Sequence, residues 1–225
     1  MQWLEFESPG AQADALAAAI AADLKQAVEQ NGRAVLAVSG GRSPIALFER
    51  LAQADLPWQR VTVTLVDERM VPADHADSNA RLVREHLLQG KAADATFQPL
   101  ATHPEDEARS IDDACRAFTW PTVAVLGMGD DGHTASLFPD AAELDAGLDL
   151  GQKQAIIGVT PPAAPHRRLS MTRKALLKCD KLYLSIQGNG KREVFERASA
   201  QADRRWPISY FVKQDETPLD VYWAA

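Results

Sequence analysis

The sequence has few cysteines and no long apolar run, and both shortages restrict the class of protein. Its 225 residues include only two cysteines, Cys115 and Cys179, without CxxC spacing or histidine-rich surroundings, so neither a zinc site nor a disulfide framework is predicted. No apolar run reaches the length of a membrane span, about 18 residues, and acidic residues stand near the start where a secretory signal would be basic. We therefore expect a soluble protein of the reducing cytoplasm with no membrane contact.

The sequence also lacks an excess of positive charge. Lys and Arg number 24 against 31 Asp and Glu, a formal net charge of −7, so the average field repels nucleic acid and anionic membrane surfaces. Partners of those two classes are not expected, although a local cluster of cations can bind a small anion. A monomer or a weak homo-oligomer is the expectation.

Composition and order along the chain indicate an ordinary globular domain. Hydrophobic residues make up 46% of the chain and charged residues 24%, values typical of folded proteins. No internal repeat, low-complexity tract or long linker divides the chain. These features predict a single domain over residues 1–225.

Short apolar segments alternate with amphipathic segments. Apolar residues four apart over Ala11–Gln30 predict an amphipathic helix that ends at Asn31-Gly32. Apolar runs bounded by turn residues predict buried strands over 34–38, 61–66, 123–126 and 181–186, and a further strand begins near Gln2. Helices are predicted over about 43–51, 78–88, 105–118 and 191–198. This alternation predicts an α/β fold, a doubly wound, mostly parallel sheet with helices on both faces.

The loop after the 34–38 strand, Ser39-Gly40-Gly41-Arg42-Ser43, has the composition of an anion site. Two glycines allow the backbone to approach a ligand closely, and Ser43-Pro44 predicts an N-cap and a first helical residue beside them. The segment is not a nucleotide P-loop, because G-x-x-x-x-G-K-[ST] is absent. A plain capped turn is the alternative for this segment taken alone.

The loop after the 123–126 strand contains a G-x-G-x-x-G sequence, Gly127 to Gly132, which is typical of dinucleotide sites. Its acidic residues argue against that ligand. Asp130 and Asp131 would lie against a pyrophosphate and repel it. The Asp131-Gly132-His133 tripeptide instead suits a general base held by a carboxylate, with a structural histidine as the alternative. A metal on His133, Asp131 and His75 has no supporting ligand spacing, so no metal is predicted.

Further charges stand at other predicted strand ends and helix starts. Asp67-Glu68-Arg69 follows the 61–66 strand, Arg167-Arg168 precedes Leu169, and Lys191 stands at a helix start. Arg offers bidentate geometry to a phosphate and Lys a point charge, so together these cations could clamp a dianion. Each of them taken alone is more often a solvated surface charge.

These motifs, in this order, resemble the 6-phosphogluconolactonase family, which belongs to a larger group with glucosamine-6-phosphate isomerase/deaminase. The segments that carry the resemblance are 39–44, Asp67-Glu68-Arg69-x-Val71-Pro72 with His75-x-Asp77-Ser78-Asn79, 127–139, Arg168-x-Ser170-x-Thr172 and Gly188-x-x-Lys191. The resemblance implies a doubly wound α/β fold and hydrolysis of 6-phospho-D-glucono-1,5-lactone without a cofactor, the second step of the oxidative pentose phosphate pathway.

The resemblance also implies roles for individual residues. His133 would be the general base toward water, Asp131 would orient the imidazole or its water, and Arg69 or a backbone amide would stabilise the oxyanion. The residues implied for the phosphate are Ser39, Gly40, Gly41, Arg42, Ser43, Arg168 and Lys191, and those for the rest of the substrate are Asp67, Glu68, His75, Asn79 and Gly129.

Two alternatives to the lactonase activity remain. In the sibling isomerases an acid stands five residues after the histidine of Asp-Gly-His, and here that position is Phe138, which cannot transfer a proton. A non-catalytic sugar-phosphate sensor is the second alternative. A regulator of that kind would need an attached DNA-binding segment, and we expect none because the first predicted strand begins near Gln2.

Overall fold

The computed structural model describes residues 1–225 as an α/β fold with two sheets. The strands are β1 (Gln2–Phe6), β2 (Ala34–Val38), β3 (Val61–Leu65), β4 (Asp67–Arg69), β5 (Thr96–Gln98), β6 (Val123–Leu126), β7 (Ile156–Val159), β8 (Arg168–Met171), β9 (Lys181–Gln187) and β10 (Leu219–Ala224). The helices are α1 (Pro9–Asn31), α2 (Ile45–Leu51), α3 (Asn79–His86), α4 (Glu107–Ala117), α5 (Leu144–Leu148), α6 (Arg173–Leu176), α7 (Asn189–Ala198) and α8 (Ser209–Val212). None of these helices is long and apolar enough to cross a membrane.

The large sheet has seven strands in the order β1-β10-β9-β6-β2-β3-β5, and every neighbouring pair is parallel. Its central strands β2 and β6 are buried along their whole length, as the short apolar runs predicted. Helices pack around the sheet, and 57 buried hydrophobic residues form one continuous cluster. The predicted α/β fold with a mostly parallel sheet is therefore confirmed.

The strand order reverses between β2 and β6. The chain passes from β2 to β3 on one side, whereas β6 leads to β9 and β10 on the other, so β2 and β6 are neighbours with loops that diverge. In doubly wound sheets ligands bind outside the carboxyl ends of the strands at this switch point. The topology therefore marks the loops after Val38 and Leu126.

A small antiparallel sheet, β4-β8-β7, was not predicted from the sequence. Asp67–Arg69 was expected in a polar loop and Arg168 in a loop before Leu169, but the two segments pair as strands, with Arg69 opposite Arg168. Three consecutive charged residues carry no apolar alternation, so Asp67–Arg69 gives no strand signal. The pairing forms because β8, buried along its length, supplies a partner for the extended backbone.

The predicted helices are present with similar boundaries, except at the start of α2, and the short helices α5, α6 and α8 were not predicted. Helix α1 ends at Gly32, whose φ of 75° closes it with a left-handed residue as predicted. Helix α2 begins at Ile45 after Pro44, and no side chain caps it. The predicted Ser43 cap is therefore wrong, because the Ser43-Pro44 turn stands one residue outside the helix.

Candidate active site

The loops that follow β2 and β6 are joined by Ser39. Its hydroxyl donates to the carbonyl oxygen of Val125 (3.0 Å) and accepts from the amide of Gly127 (3.2 Å). Its own amide donates to the same Val125 carbonyl (3.1 Å). A single side chain thus fixes the spacing of the two loops at the switch point.

A cavity of about 270 Å³ opens at this place. Its lining is mostly polar backbone and side chains from both loops and from the starts of α3 and α7. The lining residues predicted from the sequence are Ser39, Gly40, Gly41, Ser43, Asp67, Arg69, Asn79, Gly129, His133 and Lys191. One chamber thus collects the Gly-Gly loop, the histidine and two cations.

Gly40 is a glycine because Asn79 occupies the space of a side chain. A Cβ at Gly40 would lie 2.7 Å from Nδ2 of Asn79 and closer still to its oxygen, whereas a Cβ at Gly41 would meet nothing within 4 Å. Asn79 is held there by donating from Nδ2 to the carbonyl oxygen of Asp67 (2.8 Å). Gly41 is glycine for a different reason, since its φ of 94° lies in the left-handed region.

The tripeptide that ends with His133 forms a tight turn that points its two functional side chains at each other. Asp131 Oδ1 lies 2.5 Å from His133 Nδ1 and also accepts from the His133 amide (3.1 Å). The Thr134 hydroxyl donates to the carbonyl oxygen of Gly127 (2.8 Å) and closes the turn. No protein group hydrogen-bonds Nε2 of His133, so this nitrogen is free to contact a ligand in the cavity.

The charge state of Asp131 suits an orienting carboxylate. Partial burial raises the pKa of Asp131. The hydrogen bond from His133, its charge and the hydrogen bonds from backbone amides lower this pKa by more, so the net pKa of Asp131 is below its ordinary value. Asp131 is therefore ionised throughout the neutral range. The His133 ring also packs on the Phe138 ring, with ring centroids 4.4 Å apart.

Asp67 reaches the cavity from β4 and is fixed from behind by a serine. Ser136 donates from its hydroxyl to Asp67 Oδ2 (2.6 Å), and the Ser136 amide donates to the hydroxyl of Ser170 (3.1 Å) on β8. Both serines are fully buried. The contact of Ser136 with Asp67 was not predicted from the sequence, because 69 residues separate the two.

Two cations line the cavity. Arg69 donates from Nη1 to the carbonyl oxygen of Asp77 (2.5 Å), and its buried Nε has no protein partner. Lys191, in the first turn of α7, donates to the carbonyl oxygen of Met128 (2.6 Å). Neither side chain forms an ion pair with a carboxylate, so both positive charges are available to an anionic ligand.

Glu68 was predicted in the substrate pocket and is instead a buried structural acceptor. Its carboxylate accepts from the amides of Asn79, Ala80 and Arg69 and from the hydroxyl of Ser78. Burial raises the pKa of Glu68, and the three amide hydrogen bonds lower it only in part. Glu68 thereby holds the start of α3, which carries Asn79, against β4.

Three further predicted residues do not line the cavity. Arg42 is exposed on the loop before α2. Arg168 is buried beside Arg69 and donates to the carbonyl oxygen of Pro165 (3.2 Å), and both burial and the neighbouring Arg69 charge lower its pKa. His75 lies on the surface with Asp77 and His166 rather than with His133.

The cavity also contains residues that the sequence analysis did not select. Ser185 reaches it from β9, Met128 from the loop after β6, and Ala135 from the segment after His133. The φ of Ala135 is 50°, a left-handed conformation that is uncommon outside glycine. Met128 and Ala135 lie within the 127–139 motif, whereas Ser185 belongs to no motif.

Comparison with known proteins gives one consistent result. The sequence matches the family described as glucosamine-6-phosphate isomerases/6-phosphogluconolactonase over residues 7–223. A 6-phosphogluconolactonase of Neisseria meningitidis serogroup A is 42% identical over 227 residues, covering 99% of this chain and 98% of the relative. That of Pseudomonas putida is 45% identical over 221 residues, covering 95% and 90%. The crystal structure of a 6-phosphogluconolactonase from Shewanella baltica superposes with a TM-score of 0.95 at 38% identity, covering 100% of this chain and 98% of the other.

Proposed function

The chain belongs to the family of glucosamine-6-phosphate isomerases and 6-phosphogluconolactonases, and from this membership we propose that it hydrolyses 6-phospho-D-glucono-1,5-lactone to 6-phosphogluconate. The family resemblance inferred from the motifs is thereby confirmed. One cavity holds His133, Lys191 and the Gly40-Gly41 loop, with Asp131 bonded to His133 from outside the lining, and this observation carries the proposal. A base and an anion site in one chamber fit a phosphorylated substrate with an electrophilic carbon.

His133 acts as the general base. With Nδ1 donating to the Asp131 carboxylate, the neutral ring presents an unprotonated Nε2 toward the cavity. Nε2 takes a proton from a water molecule as its oxygen attacks the lactone carbonyl carbon. When the tetrahedral intermediate collapses, the bond from that carbon to the ring oxygen breaks, and the proton on His133 passes to the departing ring oxygen.

The charge that develops on the carbonyl oxygen needs a positive donor, and Arg69 is assigned this role. Arg69 lines the cavity, and its buried Nε has no protein partner. An unpaired donor fixed before the substrate arrives stabilises an oxyanion without reorganisation. A backbone amide of the glycine loops is the alternative donor.

The 6-phosphate is assigned to Lys191 and to the Ser39-Gly40-Gly41 loop with Ser43. These groups line the cavity and supply one positive charge with hydroxyl and amide donors, a set that suits a phosphate dianion. Arg168 and Arg42 were predicted for the same phosphate. Neither lines the cavity, and their part in phosphate binding stays a prediction.

Isomerisation is not favoured, because the isomerase proton donor has no counterpart. Phe138 stands at its position, and the phenyl ring packs on His133. A cytoplasmic location, a single domain over residues 1–225 and a monomer or weak homo-oligomer remain part of the proposal.

The test is the initial rate of 6-phosphogluconolactone hydrolysis above its spontaneous background, for wild type and His133→Ala, with glucosamine 6-phosphate offered in parallel. We expect lactone turnover by the wild type and a loss of about 10²- to 10⁴-fold in the variant, the usual contribution of a positioned base. His103→Ala, a histidine that pairs with Asp113 away from the cavity, is the matched control. Conversion of the amino sugar alone would assign the chain to isomerisation, and binding without turnover would assign a sensor.

A further inference from the structure

Two histidines and one aspartate meet on the surface beside the active site. One ligand atom each of His75, Asp77 and His166 lies within 4.8 Å of the other two. His166 Nε2 is 3.0 Å from Asp77 Oδ2, and His75 Nδ1 is 3.9 Å from the same oxygen. The three side chains are 41%, 51% and 29% exposed in chain order, so an ion can reach them from solvent.

From this cluster we propose that His75, Asp77 and His166 form a zinc site that links two loops of the chain, with water in the fourth position. Two imidazoles with one carboxylate are a donor set that zinc prefers and that magnesium and calcium do not. Zinc bonds of about 2.0–2.2 Å in tetrahedral geometry place ligand atoms about 3.4 Å apart. The distances from Asp77 Oδ2 to His166 Nε2 (3.0 Å) and to His75 Nδ1 (3.9 Å) lie on either side of that value.

The small sheet brings the three ligands together. β4 and β8 are antiparallel, with Arg69 opposite Arg168 and the Met70 amide donating to the Arg167 carbonyl (2.8 Å). The segment that leaves β4 and the segment that enters β8 therefore project from the same end of the sheet. His75 and Asp77 lie on the first segment and His166 on the second, so an ion bound to all three would tie the segments together.

Local conformation holds the two histidines near Asp77. His166 has a φ of 67°, a left-handed conformation that is uncommon for a residue other than glycine, and its Nε2 lies 3.0 Å from Asp77 Oδ2. The Asp77 amide donates to Nδ1 of His75 (3.1 Å), so Nδ1 is unprotonated, and zinc bound at this nitrogen would replace that hydrogen bond.

The site lies directly behind a cavity residue but outside the catalytic group. Arg69 lines the cavity and donates to the carbonyl oxygen of Asp77. None of the three ligands lines the cavity. Zinc there would fix the backbone on which Arg69 rests, and the hydrolytic residues His133 and Asp131 would not touch the ion.

The experiment is a calorimetric titration of the metal-free full-length protein with Zn²⁺ at neutral pH, with Mg²⁺ and Ca²⁺ as comparison ions. We expect one zinc per chain, no binding of the comparison ions, and a rise in Tm with zinc concentration, because a ligand that binds the folded state raises its stability. His75→Gln and His166→Asn should each weaken zinc binding at least about tenfold. Loss of a residue that only hydrogen-bonds to a metal ligand already costs about that much affinity, and these variants remove a ligand itself. Asn tolerates the left-handed backbone at position 166, so this variant preserves the fold.

His103→Ala and His133→Ala are the matched controls, since each removes a histidine that faces a carboxylate elsewhere. Both should keep wild-type zinc affinity and the zinc-dependent rise in Tm. The proposal is overturned if wild type binds no zinc, or if His75→Gln and His166→Asn bind it as tightly as wild type. Because the readouts are heat and Tm, the result is independent of whether the chain hydrolyses the lactone.

Discussion

A single oxygen of Asp131 contacts both the ring nitrogen Nδ1 and the backbone amide of His133, at 2.5 and 3.1 Å. The amide contact fixes the position of this oxygen, so the imidazole ring cannot rotate without losing the contact between Nδ1 and Asp131. The catalytic orientation of the imidazole is therefore built into a three-residue turn. It does not depend on a carboxylate from a distant part of the chain.

Asp131→Asn should lower the rate of hydrolysis and leave the affinity for substrate nearly unchanged. The Asp131 carboxylate contacts Nδ1 of His133 and accepts from its amide, and its lowered pKa keeps it ionised in the neutral range. An uncharged amide holds the imidazole less firmly, so kcat should fall by about a hundredfold, the low end for a positioned proton-transfer group. Values of kcat and KM measured alongside Asp130→Asn, an exposed neighbour, check this. An unchanged kcat would remove Asp131 from its orienting role.

Gly129→Ala should inactivate the enzyme without unfolding it. A Cβ at Gly129 would lie 2.6 Å from Asp131 Oδ1 and closer to the His133 ring, so both side chains must leave their positions. Both are partly exposed and have space to move, which spares the core. Activity should fall as far as in His133→Ala while Tm changes little. Gly190→Ala, where a Cβ meets nothing within 4 Å, is the control and should retain turnover.

Lys191→Ala should separate binding of the phosphate from chemistry. Loss of a charge-assisted hydrogen bond costs about 1.5–3 kcal/mol, which corresponds to a rise of roughly 10- to 100-fold in KM for the phosphorylated lactone. The unphosphorylated lactone should be affected far less. Steady-state kinetics with both substrates test this, with the exposed Lys25→Ala as control. Equal losses on both substrates would contradict a phosphate contact.

Ser136→Ala should destabilise the fold through Asp67. The variant removes the hydroxyl that donates to a buried carboxylate, which costs about 1.5–3 kcal/mol in the free energy of unfolding. Urea denaturation measures this loss. In an Asp67→Asn background the same change should cost less, because the buried group no longer carries a charge. Additive effects of the two substitutions would show that the pair does not interact.

Most strands of the large sheet and the strand-end motifs were accessible from the sequence because their signals are local, whereas β5 and β10 were not predicted. Buried parallel strands such as β2 and β6 are uninterrupted apolar runs, and the loops after them contain glycine, serine, aspartate and histidine in short order. The doubly wound topology then places those loops at one switch point. The common lining of one cavity by Gly40 and His133 follows from that rule alone.

The small sheet and its contacts were not accessible because they depend on pairing between distant segments. Asp67–Arg69 is charged throughout, and its extended conformation is set by β8 rather than by its own side chains. Arg168 was predicted to bind the phosphate, but the same pairing buries it beside Arg69. The proposed zinc ligands Asp77 and His166 are 89 residues apart, and no spacing motif links them.

The position of β1 at the edge of the large sheet affects how the chain is made. Its strand partner is β10, in register from Gln2 with Asp220 to Phe6 with Ala224. β1 is synthesised long before β10, so β1 stays without a partner while the middle of the sheet assembles. During synthesis the nascent chain therefore carries an exposed strand, a surface to which chaperones can bind until residues 219–224 emerge.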